Sequence, residues 1–96
     1  MITQSTIGAL GEVSRFASNG PNNITNTKFK FKNGWTLSMS KGTQMGVGTY
    51  STDTTVEVAL FNPNDEMVPF LDGDTVKGYV DADTLVQIMY WAATQK

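Results

Sequence analysis

Residues 28–40 read KFKFKNGWTLSMS, with Asn33-Gly34 at the centre. An Asn-Gly pair between two alternating runs is the strongest short-range signal for a β-hairpin. Because strand side chains alternate, a change of register by one residue moves every ring to the other face. A two-residue Asn33-Gly34 turn sets Lys32 opposite Trp35 and Lys30 opposite Leu37, which mixes ammonium groups with apolar side chains. A three-residue loop, Lys32-Asn33-Gly34, pairs Phe31 with Trp35 and Phe29 with Leu37 instead. Gly34 then takes the left-handed position of a type I turn with a bulge, where glycine pays no steric penalty. The three-residue loop satisfies every side chain. It predicts Phe29, Phe31, Trp35, Leu37 and Met39 in the core, with Lys28, Lys30, Thr36 and Ser38 on the other face.

Composition narrows the chemistry. The 96 residues include no cysteine and no histidine. Disulfides, thiolate chemistry, the usual imidazole base and nearly all zinc sites are therefore out of reach. A net charge of −2 with 17% charged residues supports no bulk attraction to nucleic acid or membranes. No apolar stretch approaches the roughly 20 residues that span a bilayer. MITQSTIGALGEVSR has neither a basic lead nor a continuous apolar run, so a cytosolic protein without a secretory leader is expected.

Along the chain, Ile7, Leu10, Val13 and Phe16 fall three apart, which predicts a short helix ended by Asn19-Gly20-Pro21. Gly8 and Gly11 weaken it by up to about 1 kcal/mol each. A polar connector follows. After the hairpin, SKGTQMGVGTYSTDT is expected to be a long mobile loop. TVEVALF alternates as a strand with Val56, Val58 and Leu60 on its apolar face. NPND is turn chemistry with Pro63 at the second position, and Pro69 confines the returning EMVPF strand to an edge or ends it. LDGD turns again before TVKGYV. Asp81 caps a terminal helix whose Leu85, Ile88, Met89 and Ala92 share one face. The expected architecture is α+β, a small antiparallel sheet of three to five strands with a short N-terminal helix and a C-terminal helix on one face. It is read as one domain, 1–96: N-terminal helix and connector over 1–27, antiparallel sheet over 28–80, C-terminal helix over 81–96.

Phe31–Trp35 (F-x-N-G-aromatic), Val56–Leu60 (VEVAL) and Asp74–Val80 leading into Asp81 occur in an order that resembles a group of small, mostly uncharacterised bacteriophage proteins. The resemblance spans roughly residues 28–94. It departs at Trp35, where tyrosine is commoner, and in the long loop, which lacks paired glycines. The resemblance implies a phage origin, and with it host takeover or defence evasion by binding rather than catalysis.

The remaining candidates are surface features. Six of the nine acidic residues (Asp65, Glu66, Asp72, Asp74, Asp81 and Asp83) lie within nineteen positions accompanied only by Lys77. Such a surface suits a basic partner, although turns and helix starts also favour aspartate on their own account. Asp72-Gly73-Asp74 resembles the start of a calcium loop. Asp83 stands where the twelfth-position glutamate belongs, so no metal site is assigned. Glu57, mid-strand, is read as an outward carboxylate near Lys30 rather than a general acid. In KFKFKNGW the rings and lysines fall on opposite faces, which leaves no exposed stacking platform, so nucleic acid is a weak reading. Met45, Val47 and Tyr50 in the long loop are candidates for recognition. Tyr90 and Trp91 fall beside or beyond the core stripe of the last helix, where an exposed aromatic marks an interface, with a homodimer as the simplest use. The expected partner-binding set is Met45, Val47, Tyr50, Asp65, Glu66, Asp72, Asp74, Tyr90 and Trp91, with no catalytic residue and no cofactor. The expected function is a non-catalytic phage-type accessory protein in the host cytoplasm that binds and inhibits a host or anti-phage defence protein, an anti-CRISPR or a similar inhibitor. The alternatives are a protein that sequesters a nucleotide-like small molecule, with Trp35, Tyr79 or Trp91 stacking on it, and a virion component.

Overall fold

The hairpin around Asn33-Gly34 adopts the three-residue loop in the computed structural model, which describes residues 11–19, 24–42 and 49–95. Phe31 N donates to Trp35 O at 2.8 Å and Gly34 N to Phe31 O at 3.0 Å. Gly34 has φ +94°, the left-handed conformation the register requires. Phe29 pairs with Leu37 and Lys30 with Thr36. Phe29 is 7% exposed and Phe31 2%, so both rings are core.

The same turn occurs three times. Asn62 N donates to Glu66 O and Asp65 N to Asn62 O, each at 2.9 Å, while Phe70 N donates to Asp74 O and Gly73 N to Phe70 O, each at 2.8 Å. The residue before the closing position is left-handed in each, with φ +94° at Gly34, +64° at Asp65 and +91° at Gly73. Two of the three place glycine there. Asp65 is the exception, and aspartate tolerates this region better than most side chains.

These turns organise a sheet of six antiparallel strands: β1 (Gly11–Asn19), β2 (Ile24–Phe31), β3 (Thr36–Lys41), β4 (Val56–Phe61), β5 (Met67–Val68) and β6 (Val76–Val80). The order is β1-β2-β3-β4-β5, with β6 also on β4. Val13, Phe29, Leu37, Leu60 and Val68 form one continuous row across it. The adjacent row runs through Thr27, Met39 and Val58. One helix, α1 (Ala82–Ala93), closes this face. The core is Phe29, Phe31, Leu37, Val58, Leu60, Val80 and Ala92, with Trp35, Met39, Leu85, Ile88 and Met89 packed against it.

Three sequence expectations are corrected. The stretch read as an N-terminal helix is strand β1 over its described part, Gly11–Asn19; residues 5–10 of that helix lie outside the described residues. A spacing of three suits a helix, but it also suits a strand with one extra residue. The register slips between Val13 and Arg15, so Val13 stands opposite Phe29 and Phe16 opposite Thr27. A bulge had been mistaken for a helical turn. The sheet therefore runs from residue 11 rather than 28, and the supposed connector joins β2 from Ile24. Asn26 makes that polar half-strand viable, since its Nδ2 donates to Ser38 Oγ at 2.9 Å and Ser40 Oγ at 2.8 Å on β3. The strand count rises to six, because β1 is added and the return strand is split. β5 pairs Leu60–Phe61 and β6 pairs Val56–Ala59 on the same edge of β4, with residues 69–75 leaving the ladder between them.

The helix begins as expected. Asp81 is its N-cap, with Thr84 N donating to Asp81 Oδ1 at 2.8 Å. Its other end is held by the first hairpin: Asn33 Nδ2 donates to Ala92 O at 2.7 Å and Gln95 O at 2.8 Å. The last carbonyls of a helix lack intrahelical partners, and a turn residue 59 positions away in sequence supplies one.

Two outcomes test this account. A β-carbon at Gly34 would lie 3.2 Å from Pro63 Cβ on a left-handed backbone, so Gly34→Ala should cost about 1–2 kcal/mol. Asp65→Gly at the equivalent place should leave stability unchanged or raise it by up to about 1 kcal/mol; chemical denaturation reads both. Hydrogen bonds from Thr84 hold the Asp81 carboxyl below its ordinary value of 3.8. That stabilisation is complete above this pH and is lost as pH falls through the lower folded value. Asp81→Ala should lower the melting temperature at neutral pH, with the gap from wild type narrowing below about pH 3.8.

Candidate functional site

The split return strand creates the most marked surface feature. Pro69 has no N–H to continue the ladder, so the chain turns outward after Val68. The Phe70–Asp74 turn then folds it back, and Asp74 N donates to Asp72 Oδ1 at 3.0 Å to rigidify the tip. Phe70 packs against the core, whereas Leu71 at the corner is fully exposed, at 110%. Facing this small hairpin is one stripe of α1: Thr84, Gln87, Ile88 and Trp91, spaced three and four apart. Leu60 and Val68 form the floor. The result is an apolar groove of about 360 Å³.

Trp91 forms its far wall. The residue is 46% exposed, and its ring meets that of Trp35 edge to face, with centroids 5.3 Å apart and an interplanar angle of 87°. Beside that contact, the Trp35 indole N–H is buried without an acceptor among the described residues.

Charge along residues 62–95 is one-sided. From residue 62 to 95 the chain carries Asp65, Glu66, Asp72, Asp74, Asp81 and Asp83 against Lys77 alone. Lys77 Nζ lies 4.0 Å from Asp72 Oδ2, with both side chains well exposed, a pairing worth little. α1 has Asp83 in its first turn and no basic residue in its last.

The residues singled out from sequence scatter. Trp91 lines the groove, and Asp72 and Asp74 belong to the hairpin that walls it. Tyr90, 73% exposed, points away from the groove on the stripe of Asp83 and Val86. Asp65 and Glu66 occupy the β4–β5 turn, where Glu66 Oε1 accepts from Asn62 Nδ2 at 3.1 Å. Met45 and Val47 lie outside the described residues. Tyr50 is exposed, but its neighbours Thr49 and Ser51 are buried and hydrogen-bonded at 2.6 Å, so this end of the expected loop is packed structure. Tyr79 N donates to Tyr50 O at 2.8 Å, and the two rings meet edge to face at 6.2 Å. A β-carbon at Gly78 would lie 2.5 Å from Tyr50 Cβ, so glycine is required for that approach. Trp35 and Trp91 thus meet in one place and Tyr79 in another.

Two further expectations change. Glu57 stands in the row of Ser40, not of Lys30, and its Oε2 accepts from Tyr50 N at 2.9 Å; the carboxylate anchors a loop rather than pairing with a lysine. The lysine face also holds one ring, since Lys28 Nζ lies 5.2 Å from the centre of Phe61, a half-buried side chain. A second, more open cavity of about 530 Å³ lies between Thr25, Thr27, Met39 and Lys41. Its lysine is already engaged: Lys41 Nζ donates to Thr52 O at 2.6 Å, Asp53 O at 2.9 Å and Thr55 O at 3.3 Å. Among the described residues no acidic cluster is arranged to hold a metal ion, and no helix is long and apolar enough to cross a membrane.

Comparisons with protein-family models, curated proteins and solved structures return no match.

What sequence reasoning missed is the wall opposite Trp91. The sequence reads EMVPF as a return strand that lies at an edge or ends at Pro69 and LDGD as a turn, whereas the apolar pair Phe70-Leu71 after the proline is the available signal that the chain continues as something other than solvated turn. The groove and the core should respond differently to truncation. Leu71→Ser is expected to change stability by less than about 0.5 kcal/mol, while Leu37→Ala, at a fully buried position, should cost about 2–5 kcal/mol; equilibrium unfolding measures both.

Proposed function

We propose that this is a non-catalytic, phage-type accessory protein that binds a host or anti-phage defence protein and inhibits it by occlusion, using the groove between α1 and the Phe70–Asp74 hairpin. The observation that supports this reading is the pair of large apolar side chains, Leu71 and Trp91, left exposed on either side of a groove. A turn with a left-handed glycine holds Leu71 out in solvent. Exposed apolar residues gathered around a concavity mark interaction sites more often than residues scattered singly.

A protein partner suits the groove better than a nucleotide. Phosphate recognition needs lysine, arginine or converging backbone amides, and neither lysine nor arginine lines this groove. The phage origin rests on the sequence resemblance, and action in the host cytoplasm follows from it.

The test is functional. Bacteria carrying individual defence systems, each expressing this protein, are challenged with a phage that the system restricts. Wild-type protein should restore plating on at least one strain, and Leu71→Glu or Trp91→Ala should abolish the rescue while circular dichroism shows an intact fold. Rescue on no strain, or full rescue by both variants, would remove this reading.

A further inference from the structure

We infer that the groove takes a segment of a partner protein in which a bulky apolar side chain is flanked by lysine or arginine; this rests on the proposed binding role and specifies the chemistry of its partner. Three observations lead there.

The cavity comes first. At about 360 Å³ it lies near the bottom of the range for small-molecule sites, roughly 300–1,000 Å³. Its walls are aliphatic and aromatic, so the occupant that fills it is a side-chain anchor. Thr84 and Gln87 on the α1 wall offer hydroxyl and amide groups to the backbone that carries the anchor.

The second is the distribution of charge. Asp81 lies one helical step before Thr84 on the groove stripe, while Asp72 and Asp74 belong to the opposite wall. Both walls end in carboxylates. Lys77 lies opposite Asp72. Capping hydrogen bonds from Thr84 lower the Asp81 carboxyl from its ordinary value of 3.8, so it is charged at neutral pH.

The third observation argues against a second copy of this chain. Leu71 of one molecule has the right character to enter the groove of another. Docking in that way would bring the acidic walls of both molecules together, and like charges brought face to face cost affinity. A basic segment turns the same carboxylates into attraction. It would also associate faster at low ionic strength.

The experiment uses the full chain and synthetic amphipathic peptides with a leucine or phenylalanine anchor. One peptide has lysine flanks, one has glutamate flanks, and one has lysine flanks with the anchor replaced by alanine. Calorimetry and tryptophan emission read binding. The lysine-flanked, anchored peptide should bind, with affinity falling at least several-fold between about 50 and about 300 mM salt. The other two should bind at least tenfold more weakly. Asp72→Asn combined with Asp74→Asn should weaken binding and flatten the salt dependence, and Trp91→Ala should abolish binding. Equal binding of the glutamate-flanked peptide would overturn the basic-partner inference and leave the binding role intact. So would a concentration-dependent dimer in sedimentation that Leu71→Glu disperses. If no peptide binds, the inference falls, and the plating assay decides separately whether the binding role falls with it.

Discussion

The fold depends on the backbone of one loop. With Gly34 left-handed and Phe31 closed onto Trp35, the loop has three residues, and a three-residue loop sets Phe29 opposite Leu37. Leu37 in turn faces Leu60, and Leu60 faces Val68. One φ angle thus decides which face of a six-stranded sheet is apolar. The loop also reaches out of the sheet: Asn33 is the second residue of the turn, and its amide holds the last carbonyls of α1. Its carbonyl oxygen accepts from Trp35 N at 3.2 Å. Sheet register and helix placement are therefore coupled through a single side chain.

This coupling shows why the helix sits where it does. A 12-residue helix has little stability alone and relies on tertiary packing. Asp81 fixes its start, Asn33 fixes its end, and Leu85, Ile88, Met89 and Ala92 seat it on the sheet. With both ends pinned, the neighbouring stripe of Thr84, Gln87 and Trp91 has no freedom to roll inward. It remains as the wall of a groove because the residues that would cover it, 69–75, were turned outward by Pro69.

What sequence could reveal follows from the range of the interactions. The first hairpin was legible to the level of register, because turn type, alternation and glycine geometry are all local. The Asp81 cap and the core stripe of α1 were legible for the same reason. β1 was not. Its bulge converts a strand into a spacing of three, and nothing within the segment distinguishes that from a helix; the deciding partner is β2, which supplies the ladder. The fate of Glu57 was equally non-local, since its partner is the backbone of Tyr50. For the candidate site, Asp72, Asp74 and Trp91 were chosen on local grounds, charge and helix phase. Leu71 was passed over because its exposure depends on the Phe70–Asp74 turn repeating the geometry of the first hairpin.

That repetition bears on how the groove arose physically. The same two hydrogen bonds and the same left-handed residue build turns at 31–35, 62–66 and 70–74. Two of them connect successive strands and are needed for the sheet to exist. The third connects nothing that a direct continuation of β5 into β6 would not connect more simply, since both strands lie on one edge of β4. Removing residues 69–75 from the path would leave one continuous strand along β4, with Val68 and Val76 opposite the successive residues Leu60 and Ala59. The chain instead interrupts its ladder, places a proline at the break and spends a tight turn to carry Leu71 into solvent beside Trp91. Here local rules and sheet pairing part company, and departures of that kind concentrate where function is carried. The groove lies where the simpler structure was available and was not adopted.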